Sequence, residues 1–192
     1  MIDLPEATVR RAQQGDQAAC RTIVETLHRP VIATLFRFLG PRWRGEIEDL
    51  AQEVFLKLFR ALDRFDPARA KFTTWMYTFV RNHCFDVLKK RHLPTTSLTA
   101  GEQDGQRELP DDRELRPHQH AENTELGQRI GEALGQLGED QRMVFILREY
   151  EGLDYGAIAE VVGVSEGTVK SRLFRAKEAL RERLEPWLRA GA

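Results

Sequence analysis

The chain has 192 residues, 41% of them hydrophobic and 31% charged, with a formal net charge of −1; this is the composition of a soluble, helix-rich protein of one ordinary domain or two small ones. No apolar run approaches the roughly 18 residues that suggest a membrane span, and the opening stretch MIDLPEATVRRAQQGD lacks the apolar segment of a secretory signal. Cys20 and Cys84 lie far apart in apolar-periodic surroundings, which reads as two small buried hydrophobes in a reducing compartment rather than a disulfide.

Residues 16–90 read as helices. Asp16, after Gly15, predicts an N-cap. Cys20, Ile23, Val24 and Leu27 then recur at helical spacing, and Pro30 predicts a kink or a break. The pattern resumes from Val31 to Leu39 and ends at Gly40-Pro41. The next helix is IEDLAQEVFLKLFRAL, with Leu50, Val54, Leu58 and Ala61 on one stripe and Ile47, Phe55 and Leu62 beside it. Asp66-Pro67 signals a turn. FTTWMYTFVRN then begins a helix that runs to about Arg91.

Within that helix Phe72, Trp75, Met76, Phe79, Val80, His83 and Val87 follow steps of three and four, which makes an apolar face. Met76, Phe79 and Val80 are expected in the core and Trp75 at its border. Thr78, Asn82, Phe85 and Lys89 lie on one flank. Tyr77 falls on the opposite flank, with Arg81 toward the outside.

Charge divides the chain. Residues 1–92 carry 16 Lys and Arg against 11 Asp and Glu, a net of +5. Residues 93–125 have a net of −5 and residues 126–192 a net of −1. A basic block of this kind suggests a polyanion partner. From Leu93 to about Glu122 the composition turns to Pro, Gly, Thr and Asp without apolar period, as expected of a flexible linker. His118 and His120 within it have no Cys nearby and make no metal site. Helices are predicted again over about 126–137, 139–150, 154–162 and 166–186.

The sharpest local pattern is YGAIAEVVGVSEGTVKSRLF, residues 155–174. A helix-turn-helix needs a small residue where the helices cross, a Gly able to take positive φ at the turn, and an apolar residue that seats the second helix. Ala159, Gly163 and Val169 fill these roles, with Ile158, Val162 and Val164 as the hydrophobic centre. Asp154 and Ser165 stand at the two N-cap positions. The second helix offers Thr168, Lys170, Ser171, Arg172, Arg175 and Lys177, side chains that donate to phosphates and base edges in a major groove. Gly156 in the first turn of the first helix conflicts with helix propensity by about 1 kcal/mol, an expense that packing is expected to offset.

LGEDQRMVFILREYEGLDYGAIAEVVGVSEGTVKSRLFRAKEAL closely resembles region 4 of sigma-70 family factors of the extracytoplasmic-function (ECF) group. DLAQEVFLKLFRALDRFDPARAKFTTWMYTFVRNHCFDVLKKR resembles region 2 of the same group. The resemblance covers about four fifths of the chain, in the family order and without the large intervening domain of housekeeping sigma factors. It implies an all-α fold of two small helical domains: region 2 in residues 1–93, a flexible acidic linker in 94–125, and region 4 in 126–192.

The resemblance further implies a bacterial initiation subunit. Region 2 would dock on the clamp helices of the polymerase β′ subunit through Asp49, Leu50, Gln52, Glu53 and Phe55. It would capture a flipped −10 base with Asn82 and the loop Asp66 to Lys71, and Trp75 would join that −10 surface. Lys71, Arg81, Lys89, Lys90 and Arg91 would neutralise phosphates. Region 4 would read the −35 element with Ser165, Thr168, Lys170, Ser171, Arg172, Phe174, Arg175 and Lys177, and would contact the β flap. The linker would thread the polymerase channels. An anti-sigma factor, often membrane-bound, would restrain a factor that is itself cytoplasmic and not inserted in the membrane.

No cofactor is implied and no catalytic constellation is visible: the sequence has no Walker A loop, HExxH, GxSxG or CxxC pair. Two other classes compete. A free-standing operator-binding regulator leaves region 2 without a purpose. A DNA recombinase needs a nucleophilic Ser or Tyr in a basic cluster.

Overall fold

The computed structural model describes residues 4–92 and 125–190. Among these the fold is all-α. Helices α1 (Glu6–Gln13), α2 (Gln17–Leu39), α3 (Ile47–Arg60) and α4 (Phe72–His92) form the first group. Helices α5 (Glu125–Gly135), α6 (Glu139–Glu149), α7 (Tyr155–Val162) and α8 (Glu166–Ala190) form the second. The stretch assigned to the linker, with His118 and His120, lies outside the described residues apart from Glu125, which opens α5. No described helix is long and apolar enough to cross a membrane.

α2 is the spine. Asp16 caps it as expected, its Oδ1 accepting from the Ala18 and Ala19 amides at 2.9 and 3.1 Å. Of the kink or break expected at Pro30, the break does not occur: the helix continues through it to Leu39. Leu27, Val31, Thr34, Leu35 and Phe38 are buried on both sides of the proline. Their packing against α1, α3 and α4 outweighs the backbone hydrogen bond that proline removes. Helix α1 was not anticipated. Its signals are short: Pro5 before the first turn, Glu6 in it, and buried Val9 and Ala12.

In α3, Ile47, Leu50, Val54, Phe55 and Leu58 are buried, as the stripe predicts. In α4, Met76 and Val80 are fully buried, Phe79 is half-buried, and Trp75 is half-buried at the border. Tyr77 departs from the expected outer flank: it is 5% exposed. The cause is tertiary, because α7 packs on α4 and α6 packs on α2. One apolar cluster therefore includes Phe38, Val54 and Met76 of the first group with Ile146, Leu153 and Ile158 of the second. A smaller one joins Leu134 and Leu137 to Ala176 and Leu180.

The helix-turn-helix is built as its residues predict. Asp154 Oδ1 accepts from the Ala157 amide at 2.8 Å and starts α7. Gly163 ends it at φ 70°, a left-handed conformation that glycine adopts without a Cβ penalty, and its N–H bonds the Ala159 carbonyl at 2.9 Å. Ser165 Oγ accepts from the Thr168 amide at 3.3 Å and starts α8. Val169 and Ile158 are fully buried between the two helices.

Gly156 is different. A Cβ there would meet Asp154 Oδ1 at 3.4 Å and Glu166 Oε1 at 3.5 Å, ordinary contacts. Packing therefore leaves room for a methyl group in place of the glycine hydrogen. Gly156→Ala is expected to stabilise the folded chain by about 0.5–1 kcal/mol. A urea midpoint that falls instead of rising would show that the two carboxylates do not tolerate the methyl group.

Candidate nucleic-acid interface

Three polar surfaces stand outward from this scaffold. On α8, the buried residues Val169, Leu173, Ala176 and Leu180 fix the rotation of the helix. Ser171, Phe174 and Arg175 then point away from the core, with Thr168 and Lys170 on either side. Phe174 is 67% exposed, unusual for so large a ring. Lys170 Nζ lies 3.9 Å from Glu166 Oε2 and 5.4 Å from the Tyr155 ring centroid. Ser165 and Thr168 share a hydrogen bond at 3.0 Å, and Ser171 Oγ donates to the Thr168 carbonyl.

Two of the predicted −35 residues point elsewhere. Arg172 Nη2 donates to Asp140 Oδ2 at 2.7 Å, and Lys177 Nζ meets Glu149 Oε1 at 2.9 Å. Both pairs tie α8 to α6. Their acidic partners are 32 and 28 positions away in the chain, so helical periodicity within α8 gave no sign of them.

The second surface is the outer side of α4. Trp75, Asn82 and Lys89 align at steps of seven, close to two turns of helix. Asn82 and Lys89 are exposed. Trp75 is held edge-on against Phe79, with centroids 4.7 Å apart, and packs on Phe65 at 5.2 Å. Its ring is thus fixed by an aromatic cluster while one side reaches solvent. Arg81 lies over the Phe85 ring at 4.5 Å, and its Nη1 donates to Asn82 Oδ1 at 2.9 Å. The loop before α4 is shaped by Asp66, whose Oδ1 accepts from the Ala68 amide at 2.9 Å. Lys71 is exposed at its end, and Lys89, Lys90 and Arg91 are exposed at the far end of α4.

The third surface is on α3. Asp49, Gln52 and Glu53 are exposed at helical spacing, while Leu50 and Phe55 are buried at 8% and 6% exposure. These two support the acidic strip from beneath and do not lie on its surface. Sequence reasoning missed Leu56, which is 56% exposed beside the strip. Its offset from the Leu50–Val54–Leu58 stripe was the available signal.

His83 sits between the second and third surfaces, 2% exposed. Lys57 Nζ lies 2.9 Å from its Nδ1. An ammonium only donates, so Nδ1 is the acceptor and the neutral ring carries its proton on Nε2. Glu53 Oε2 is 3.8 Å from that nitrogen, beyond hydrogen-bond distance. Burial, with the Lys57 charge, pushes the imidazole below its usual range. The unfolded chain therefore binds this proton more readily than the folded one. The resulting stability is full above about pH 6.5 and is lost as pH falls below that value toward the depressed folded one. His83→Asn keeps an acceptor for Lys57 and is expected to flatten the fall in urea midpoint between about pH 7.5 and 5.5. Parallel curves for the two proteins would exclude His83 as the source.

Known proteins match this arrangement. Residues 23–93 match sigma-70 region 2, and residues 127–180 match sigma-70, region 4. The chain is 35% identical over 188 residues to the RNA polymerase sigma-H factor of Pseudomonas aeruginosa, covering 94% of each protein. It is 33% identical over 187 residues to the ECF RNA polymerase sigma-E factor of Escherichia coli, covering 96% of each. The chain belongs to the ECF group of the sigma-70 family.

This sigma factor accordingly binds core RNA polymerase and directs promoter-specific initiation. Its family consists of transcription initiation factors rather than enzymes. Solved structures agree in fold. CnrH, determined in complex with the cytosolic domain of CnrY, has a TM-score of 0.69 at 23% identity, covering 94% of this chain and 96% of that one. The sigma factor RpoE of Bartonella quintana, determined with the anti-sigma factor NepR, has a TM-score of 0.63 at 23% identity, covering 86% and 96%. A free-standing operator reader would leave the match over residues 23–93 without an account.

Proposed function

We propose that residues 1–93 act as the core-binding and −10-opening module, 94–125 as the connector, and 126–192 as the −35 reader. Asp49, Gln52 and Glu53 meet basic residues of a polymerase helix, with Leu56 as an apolar anchor among them. Trp75, Asn82 and the loop Asp66 to Lys71 receive an extruded −10 base, while Lys71, Lys89, Lys90 and Arg91 neutralise phosphates. On α8 the reading set is Lys170, Ser171, Phe174 and Arg175, with Ser165 and Thr168 at its start. Arg172 and Lys177 hold the helix in place. The factor performs no chemistry of its own and works in the cytoplasm. An anti-sigma protein holds it in check, at the inner membrane where that partner is membrane-bound. This last point draws on the two solved relatives, one determined with an anti-sigma factor and the other with the cytosolic domain of CnrY.

The observation that carries this reading is the joint presentation of an acidic strip on α3 and an Asn–aromatic–basic face on α4 in the same chain as a helix-turn-helix. Run-off transcription with purified core polymerase, on the DNA upstream of the gene itself, tests it. Specific initiation is expected only when both chain and core are present. Tight sequence-specific binding by the chain alone, with no stimulation of core, would instead identify an operator-binding regulator.

A further inference from the structure

The loop before α4 is held at its root by the first helix of the chain. α3 stops at Arg60, and a short 3-10 turn, Leu62–Arg64, follows it. Phe65 then runs extended at φ −70° and ψ 127°. Its carbonyl has left the helical pattern and needs a partner from outside. Gln13, the last residue of α1, supplies one. Its Nε2 donates to the Phe65 carbonyl at 2.9 Å and to the Leu62 carbonyl at 3.0 Å. Both partners are carbonyl oxygens, so the amide nitrogen faces them and its two hydrogens serve one each. The two bonds are part-buried and cross 52 and 49 positions of sequence.

Gln13 is itself fixed in place. Val9 and Ala12 bury the inner side of α1. Just beyond, the chain turns at Gly15, with φ at 85°. Arg11 Nε donates across that turn to Asp16 Oδ2 at 2.8 Å, on the carboxylate that caps α2. The end of α1 is thus tied to the spine helix, and Gln13 carries that rigidity to the turn after α3.

Phe65 passes it on in two ways. Its ring stands edge-on to Phe72, with centroids 5.1 Å apart, and packs on Trp75 at 5.2 Å. Its backbone leads directly into Asp66, whose carbonyl accepts from the Arg69 amide at 3.1 Å. The far end of the loop is closed by the Trp75 amide, which donates to the Lys71 carbonyl at 3.0 Å. Between these ends residues 66–69 are exposed. Among the described residues, the other hydrogen bonds of residues 62–71 run to positions 61–75, so it is Gln13 that bonds the segment to the rest of the bundle.

We propose that Gln13 is a positioning residue for promoter opening: by pinning the Leu62 and Phe65 carbonyls, it keeps the loop Asp66 to Lys71 and the Trp75 ring in the arrangement that receives an extruded −10 base. The inference rests on the −10 assignment made under the function proposed above. Gln13 acts through the loop. Without its amide the two carbonyls turn to water and the segment samples other shapes. The base is then held with an affinity lowered by the fraction that remains receptive.

The test uses the full chain. Gln13→Met keeps the length of the side chain and loses both donors, whereas Gln13→Lys keeps donors at similar reach. In the free chain, Gln13→Met is expected to speed amide hydrogen exchange of residues 62–75 by about threefold to tenfold, with residues 47–58 of α3 unchanged. With core polymerase on the DNA upstream of the gene, permanganate reactivity is expected to fall by about threefold to tenfold. Closed-complex footprints at low temperature and affinity for core should stay at the wild-type level, and Gln13→Lys should restore opening. Gln13→Ala is expected to act as methionine does and decides the matter where Gln13→Met fails to fold. Wild-type opening by a folded variant without donors, on a promoter where Asn82→Ala is impaired, would overturn the positioning role and leave the −10 assignment standing. Equal loss of closed and open complexes, or a defect that lysine does not relieve, would also overturn it, because Gln13 would then only support the fold. Faster exchange of residues 62–75 in Gln13→Met, with no core-dependent opening by the wild-type chain, would keep the hold on the loop and sink the −10 assignment.

Discussion

Replacing Lys170 and Arg175 by alanine is expected to cut initiation from a −35-dependent promoter by about fivefold to a hundredfold for each. A side chain that reads a base edge contributes about 1–3 kcal/mol of discrimination, and 1.4 kcal/mol is about a factor of ten. Both residues stand on the side of α8 turned away from the buried Val169, Leu173, Ala176 and Leu180. Phe174, exposed between them, offers an apolar surface of the kind that meets a thymine methyl group. A side chain that contacts only phosphate would weaken binding evenly across sequences and lower the salt slope by about one. Run-off transcription on templates with intact and scrambled −35 elements separates the two roles. Equal activity of both variants and the wild type on the intact template would sink the assignment of this face. Arg172→Ala and Lys177→Ala are the contrast, because they lose the ion pairs to Asp140 and Glu149. Those variants should lower the thermal stability of the second helical group, without sequence-dependent loss at the −35 element.

What was legible in the sequence was local. Caps at Asp16, Asp154 and Ser165, the turn at Gly163 and the stripe of α3 each depend on neighbours within a turn or two. They formed as the local chemistry requires. The rest depends on partners distant in the chain. Pro30 stays helical because residues on both sides of it are buried against other helices. Tyr77 is buried because α7 packs on α4 and α6 on α2, which brings Glu151, 74 positions on, against its hydroxyl. Arg172 and Lys177 turn aside for acids on α6. For the candidate sites the same division holds. Periodicity located the helices that carry them, and the family resemblance supplied the roles. The apolar stripe already sets Leu50 and Phe55 beneath the α3 surface and Asp49, Gln52 and Glu53 upon it, and only the folded chain shows Leu56 exposed beside them.

Asn82→Ala is expected to lower promoter opening by about threefold to tenfold while closed-complex formation stays near the wild-type level. The reason lies in how the amide is held. Arg81 is only a donor, so the Asn82 oxygen faces its Nη1 at 2.9 Å and the amide nitrogen is left pointing outward. Asn82 thus offers two N–H groups to an acceptor on a base edge, two helical turns from Trp75 on the same side of α4. One neutral hydrogen bond contributes about 0.5–1.5 kcal/mol. Unstacking a base costs a few kcal/mol, so one such bond shifts the balance of opening without abolishing it. Asn82→Asp keeps the acceptor for Arg81 but replaces the outward donors with a negative oxygen near phosphates. It should therefore impair opening more than alanine does. Permanganate reactivity of unpaired thymines reports opening, and footprinting at low temperature reports the closed complex. Loss of both signals in equal measure would mean that Asn82 supports the helix and does not hold the base. A smaller defect for Asn82→Asp than for Asn82→Ala would mean that the oxygen facing Arg81, not the outward amine, is the working atom.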